Sequence, residues 1–449
     1  MNGRRDDRAT WTWLTAALAS ALALAGCGSA DGGPGGNGDG GGGGDIQEIR
    51  SSKQRISNPS VSSSTLEKLT ADNADFAFDL YDELAAEQEG ENFFYSPHSM
   101  STALAMTYAG AEGSSESEME RALHFKLPEK KLHPAFNKLD LTLEKRAKQS
   151  GNAKKGKPFD LNVANSIWGQ RGYPFEQPFL RTLARHYGAG LRTVNFRERP
   201  NDARKAINKW VEKKTENRIK DLLPRGSILR STRLVLTNAI YFNASWAAKF
   251  DEKNTSQGTF TTASGKPVQV PMMAQRTQKG FAYAEGKHWR AVELPYVGKK
   301  VSMVVLVPDA GSFAAIEQKL AGDWLNRNVF AELSQTPVDL KMPKFEFKSK
   351  FSVKKMLKAL GMKVPFVARS ANFSGIAKGK GLFIQDVIHQ SFVSVDEKGT
   401  EAAAATDVTV GTTSVPEFEK VRVDRPFVFM IRDRETNAVI FAGRVLDPS

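Results

Sequence analysis

One cysteine, Cys27, occurs in the 449 residues. A single thiol can close no internal disulfide and can build no cysteine-based metal site. Histidine is almost as scarce. The six that occur, His98, His124, His133, His186, His288 and His389, never fall at the HExxH spacing of a zinc protease. The GxSxG elbow of the α/β-hydrolases is absent. The stretch "GNAKKGKP" approaches a phosphate loop, but Pro158 stands where the magnesium-binding Ser or Thr belongs, and no strand leads into it. With no catalytic, metal-binding or cofactor-binding constellation, the sequence points away from an enzyme. Long apolar runs are lacking too. "WTWLTAALASALALA", Trp11–Ala25, is short for a membrane span but suits the core of an export signal, and Arg4, Arg5 and Arg8 precede it.

That run ends in "LAGC", Leu24–Cys27, which resembles the lipobox of bacterial lipoproteins. The resemblance implies cleavage before Cys27, a lipid on its thiol, and attachment to the cell envelope or cell surface after export. Lipidation also accounts for a lone cysteine in an exported chain. Residues 1–26 are then a signal peptide. "DGGPGGNGDGGGGGD", Asp31–Asp45, has almost nothing to bury, and polar, Ser-rich sequence continues to Ser64. Residues 27–64 therefore read as a disordered tether, with the folded domain over 65–449.

The formal net charge is +13 and the pI about 9.5. Such a balance suits an anionic partner, although a basic soluble surface is the commoner meaning. One cluster, Glu144–Pro158, offers Lys145, Arg146, Lys148, Lys154, Lys155 and Lys157 to a polyanion. Nucleic acid is not expected as a partner, nor is a second copy of the chain.

The early part of the folded region is helical. Leu66, Leu69, Phe76, Leu80 and Leu84 recur at helical spacing. "SPHSMSTALAMTY" opens with a Ser-Pro helix start. "NDARKAINKWVEKKTENRIKDLLP" predicts one amphipathic helix from Asn201 or Asp202, stopped by Pro224. Short β-branched and aromatic runs dominate later: "TRLVLTNAIYFNASW", "VSMVVLVP", "FVFMIRD" and "AVIFAGRVLDP". Helices concentrated early and strands late indicate an α+β fold.

One segment carries two signals. "EKGTEAAAATDVTVGTTSVPEFEK", Glu397–Lys420, passes from four alanines into β-branched residues. The alanines are too few to sustain a helix against the β-branched Thr406, Val408, Thr409 and Val410. Read as a strand, the segment puts Thr400, Ala402, Ala404, Thr406, Val408 and Val410 on one face, and both charges, Glu401 and Asp407, on the other. Small residues on one face suit a strand that must enter an existing sheet without overpacking it.

"DEKGTEAAAAT" resembles the hinge signature of the serpin family, the serine protease inhibitors that trap their targets by conformational change. Further blocks resemble that family in the right order: "NFFYSPHSMSTALAMTYAGAEG", "LVLTNAIYFNASW", "MPKFEFKSKF", "LKALGM", "NFSGI", "RPFVFMIRD" and "FAGRVLDP". One departure is Asn372, where the family more often has Asp. The resemblance implies about nine helices, three β-sheets and an exposed reactive-centre loop. It implies inhibition of serine endopeptidases as a suicide substrate: loop cleavage, trapping of the acyl-enzyme, and insertion of the loop into the main sheet.

Site residues are implied by the resemblance, position by position. Glu397, Gly399, Thr400, Glu401 and Ala402, Ala403, Ala404 and Ala405 form the hinge. Lys344 is expected to pair with Glu397, and Trp246 stands where insertion begins. Ser96, Ser99, Asn238 and His389 form the cluster beneath the sheet where its strands must part. Counting from Glu397 places the cleaved bond at Thr413–Ser414, whereas counting back from Pro426 places it near Val415–Pro416. A Val–Pro bond is a poor substrate for most serine proteases, which favours Thr413–Ser414, with Thr412–Thr413 and Ser414–Val415 as neighbours. No Lys or Arg lies between Gly399 and Glu419, which disfavours a trypsin-like target and favours an elastase-like or subtilisin-like one. A non-inhibitory member that binds polyanions is the alternative.

Overall fold

The first helix, Ser63–Glu87, forms where the apolar spacing predicts it. It buries Leu69, Phe76, Leu80 and Leu84, and the hydroxyl of Ser62 caps it by accepting from the Thr65 amide. The computed structural model describes residues 46–149, 160–279, 281–379, 381–400 and 417–449. Among these, nine α-helices and three sheets make a mixed α+β fold, as expected.

The main sheet runs in the order Gln47–Ile49, Leu191–Val194, Asp160–Gln170, Leu234–Ser245, Ile384–Val395 and Phe345–Ser352. All twelve residues of its central strand, Leu234–Ser245, are buried, because both faces of the sheet are covered. On the inner side Phe242 meets Phe441 of the second sheet edge-on at 5.5 Å. On the outer side the helix Pro200–Lys214 places Ala203, Ile207 and Val211 in a separate apolar cluster with Trp168, Val235 and Ala239 of the sheet. The second sheet is built around Val301–Pro308, Phe427–Asp433 and Val439–Val445, and the third around Val338–Pro343 and Pro267–Thr277.

Two boundaries differ from the sequence expectation. The folded body reaches back before Thr65. Gln47–Ile49 pairs antiparallel with Leu191–Val194, and Arg55 donates to Asn137 at 2.8 Å, to Glu144 at 2.6 Å and to Asp140. Backbone pairing and the guanidinium groups of Arg50, Arg55 and Arg192 hold this polar stretch in place despite its low apolar content. The second difference is the helix expected to run to Pro224, which ends at Lys214. Glu216 and Asn217 take positive φ angles of 51° and 62°, and the Thr215 hydroxyl bonds back to the Val211 carbonyl at 2.9 Å. Asn208 then clasps the backbone of Leu223 through both its amide nitrogen and its oxygen. A hydroxyl competing for helix carbonyls and a side-chain clasp override the apolar periodicity.

Candidate functional site

The central strand and its parallel neighbour Ile384–Val395 are paired from Leu234 and Ile384 as far as Tyr241 and Phe392. Beyond that point Gly399 and Thr400 pair with the central strand instead, opposite Ser245 and Ala244. Two hinge residues, Gly399 and Thr400, are therefore already inside the sheet. Gly399 has φ 147°, and a Cβ there would lie 2.1 Å from the Ala244 carbonyl oxygen. Glycine is required for close approach to the strand as well as for the bend. Thr400 is 1% exposed. Its hydroxyl meets that of Tyr296 at 3.0 Å, and Tyr296 stacks on Trp246 with ring centroids 4.6 Å apart. Burial raises the Tyr296 phenol well above its ordinary pKa, so it remains a neutral hydrogen-bonding group.

The turn before the hinge is tied down from several sides. Trp246 donates its indole N–H to the Asp396 carbonyl at 2.9 Å, and its amide to the Lys398 carbonyl at 3.0 Å. The Asp396 carboxylate accepts from the Lys398 and Gly399 amides. Lys344 Nζ lies 2.9 Å from Glu397 Oε2, and the Thr255 hydroxyl donates to Oε1 at 2.7 Å. The Glu397 side chain is only 7% exposed, whereas Lys344 is 37% exposed. Burial pushes the Glu397 pKa up, but the bonds from Lys344 and Thr255 outweigh it and hold the group below its ordinary value.

Ser96, Ser99, Asn238 and His389 come together under the central strand. Asn238 and His389 are cross-strand partners. The Ser96 amide donates to His389 Nε2 at 3.4 Å, which leaves that nitrogen bare and puts the ring proton on Nδ1. Nδ1 then donates to Asn238 Oδ1. The Asn238 amide nitrogen gives its two protons to Ser99 Oγ at 2.8 Å and to Asn165 Oδ1 at 2.7 Å. Ser96 caps the helix Pro97–Tyr108 by accepting from the Ser99 amide, and donates to the Ile440 carbonyl at 2.7 Å. Burial lowers the His389 pKa to about 3, so the ring is neutral and the network keeps one direction.

Sequence reasoning missed Asn165, Thr255, Asp396 and Tyr296. Nothing local marks Asn165, whose role depends on cross-strand register with Asn238. Arg146, offered to a polyanion, is otherwise engaged: it pairs with the fully buried Asp433 at 3.1 Å and with Glu435, and is 11% exposed. Lys145 and Lys148 are exposed. Cys27, Glu401, Ala402–Ala405, Thr413, Ser414 and the polyanion candidates Lys154, Lys155 and Lys157 lie outside the described residues. Among the described residues there is no metal-holding group of three or more His, Cys, Asp or Glu, and no helix long and apolar enough to cross a membrane.

A central strand that parts from its neighbour Ile384–Val395 after Tyr241, with a glycine hinge paired to it beyond that point, agrees with the family comparison. The profile for Serpin (serine protease inhibitor) matches residues 71–448. The chain belongs to the serpin family. A serpin-like protein of Thermococcus kodakarensis is 39% identical over 377 residues, covering 83% of this chain and 84% of the relative. The leukocyte elastase inhibitor of Bos taurus is 36% identical over 389 residues, covering 85% of this chain and all of the inhibitor. The crystal structure of tengpin, a thermophilic serpin in its native state, superimposes with a TM-score of 0.77 at 28% identity, over 90% of this chain and 99% of tengpin.

Proposed function

We propose that this serpin inhibits serine endopeptidases as a single-use substrate. The observation that carries the reading is the antiparallel pairing of Gly399 and Thr400 with the central strand. Continuing the same register brings Ala402 opposite Phe242, Ala404 opposite Ile240 and Thr406 opposite Asn238. Thr400 already faces the interior, so Ala402, Ala404 and Thr406 share its buried face. Each is small enough to enter.

In the reaction, the protease serine Oγ attacks the Thr413 carbonyl carbon. The Thr413–Ser414 amide breaks, Ser414 leaves as a new amino terminus, and Thr413 stays on the protease as an ester. The freed loop zips into the sheet from Thr400 onward and draws the acyl-enzyme with it. Insertion parts the paired strands Leu234–Tyr241 and Ile384–Phe392 and gives each a new partner in the loop, and release of the metastable arrangement favours this step. The loop has no basic residue between Gly399 and Glu419, so the target is elastase-like or subtilisin-like.

Export and a lipid on Cys27 complete the proposal, placing the inhibitor on the cell envelope. The test is incubation with elastase-like and subtilisin-like proteases. An SDS-resistant covalent complex, with a released peptide beginning at Ser414, is the expected result. Loop cleavage without a complex by every protease tried would overturn it.

A further inference from the structure

The positive charge of this protein is unevenly placed. Residues Arg181–Arg233 contain fifteen Lys or Arg and five Asp or Glu, whereas Glu48–Lys148 contain seventeen acidic residues and twelve basic ones. Some of the fifteen are committed within the fold: buried Arg204 donates to the Leu223 carbonyl, and Arg192 pairs with Glu48. The helix Pro200–Lys214 buries one face on the main sheet. Its opposite face carries Lys205, Lys209 and Lys213, which are exposed and, among the described residues, make no ion pair. Spaced by four residues, they form one stripe about 12 Å long. Lys220, Arg225 and Arg230 follow further along the chain, equally exposed and, among the described residues, equally without ion pairs. An array of like charges that the fold does not use repels itself, and an anionic surface would relieve it.

The route of the chain supplies the second observation. The N-terminal segment joins the body at Gln47–Ile49, beside Leu191–Val194. Arg192 links that junction to the basic helix: its guanidinium bonds Glu48 at 2.9 Å and lies 4.6 Å from the centre of the Trp210 ring. The chain upstream therefore leaves the body next to this basic helix. Gln47 lies twenty residue steps beyond Cys27, so a lipid on Cys27 holds the point of exit within at most about 70 Å of the bilayer.

We propose that the Lys205–Lys209–Lys213 face is a membrane-docking surface, which rests on the anionic headgroups of the leaflet holding the Cys27 lipid. This inference builds on the lipid-anchor reading of Cys27. Being electrostatic and exposed, the contact weakens as salt shortens the screening length.

The test uses the full exported, lipidated protein on vesicles of phosphatidylcholine with and without phosphatidylglycerol, read by lysine acylation and mass spectrometry. Lys205, Lys209 and Lys213 should label several-fold more slowly on the anionic vesicles, and high salt should abolish the difference. The K205Q/K209Q/K213Q variant should stay anchored but lose the salt-sensitive protection of the amides of its helix to hydrogen exchange. Equal labelling on both vesicles, with the protein still anchored, overturns the proposal, as does protection by heparin but not by anionic vesicles. If the chain carries no lipid, the same labelling with free protein decides. Salt-sensitive protection on anionic vesicles then keeps the docking face and discards the anchor, and no protection discards both.

Discussion

The Thr400 hydroxyl lies 3.0 Å from the Tyr296 hydroxyl, in a site where Thr400 is 1% exposed. This contact helps to seat hinge residue Thr400 inside the sheet before any protease has acted. Tyr296→Phe keeps the stack on Trp246 and removes only the partner hydroxyl. The expected result is a loss of about 1 kcal/mol in stability and faster hydrogen exchange of the Thr400 amide. Unchanged exchange there would show that strand pairing alone holds the hinge.

Insertion along the register of Thr400 buries the face that carries Ala404. Ala404→Glu forces a charge into the sheet interior on insertion, and Thr400→Arg forces one there already in the native fold, where Thr400 is 1% exposed; each costs several kcal/mol unless the charge is paired. Each variant should become a substrate, cut by the protease without trapping it. Titration of protease against inhibitor measures this, and full trapping by either variant would refute the assigned face.

Removing Lys344 leaves the Glu397 carboxylate, 7% exposed, with Thr255 as its remaining side-chain partner. Lys344→Ala should destabilise the native state by about 1–3 kcal/mol, read as a lower urea midpoint. A double-mutant cycle with Glu397→Gln should show coupling between the two positions. A surface pair of two solvated charges would show almost none.

His389 is held neutral in the fold, with a pKa lowered to about 3 by burial, against about 6.5 when unfolded. Below pH 6.5 the unfolded chain takes up a proton that the folded chain refuses. Stability therefore falls as pH drops from about 6.5 toward 3, by up to about 1.4 kcal/mol per pH unit from this residue. Buried His98 and half-buried His186, each lowered to about 4, act in the same direction. The informative quantity is thus the difference between the wild type and His389→Gln in urea midpoint against pH. Parallel profiles would remove His389 from the account. An imidazole carbon resonance that stays flat down to pH 4 in the wild type checks the same claim without a variant.

Much of the fold was legible in the residues. Helix Ser63–Glu87 and the strands Val301–Pro308 and Phe427–Asp433 obey their apolar period because each buries one stripe or both faces. The helix beginning at Pro200 was overextended because the Thr215 hydroxyl and the Asn208 clasp act at a distance the period does not register. Arg146 looked like one more cation in a basic run. Its partners Asp433 and Glu435 lie nearly three hundred residues away in the chain.

The sequence by itself determined which residues could serve: a hinge glycine, small residues after it, and Asn and His within the strands, since residue size, backbone freedom and hydrogen-bonding capacity are local properties. Only the tertiary structure decided how they meet. Register brings Asn238, His389 and Asn165 into one proton-ordered network. The parting of two strands after Tyr241 and Phe392 seats Gly399 and Thr400 in the sheet. Both depend on contacts between segments far apart in the chain, whose alignment no local pattern encodes.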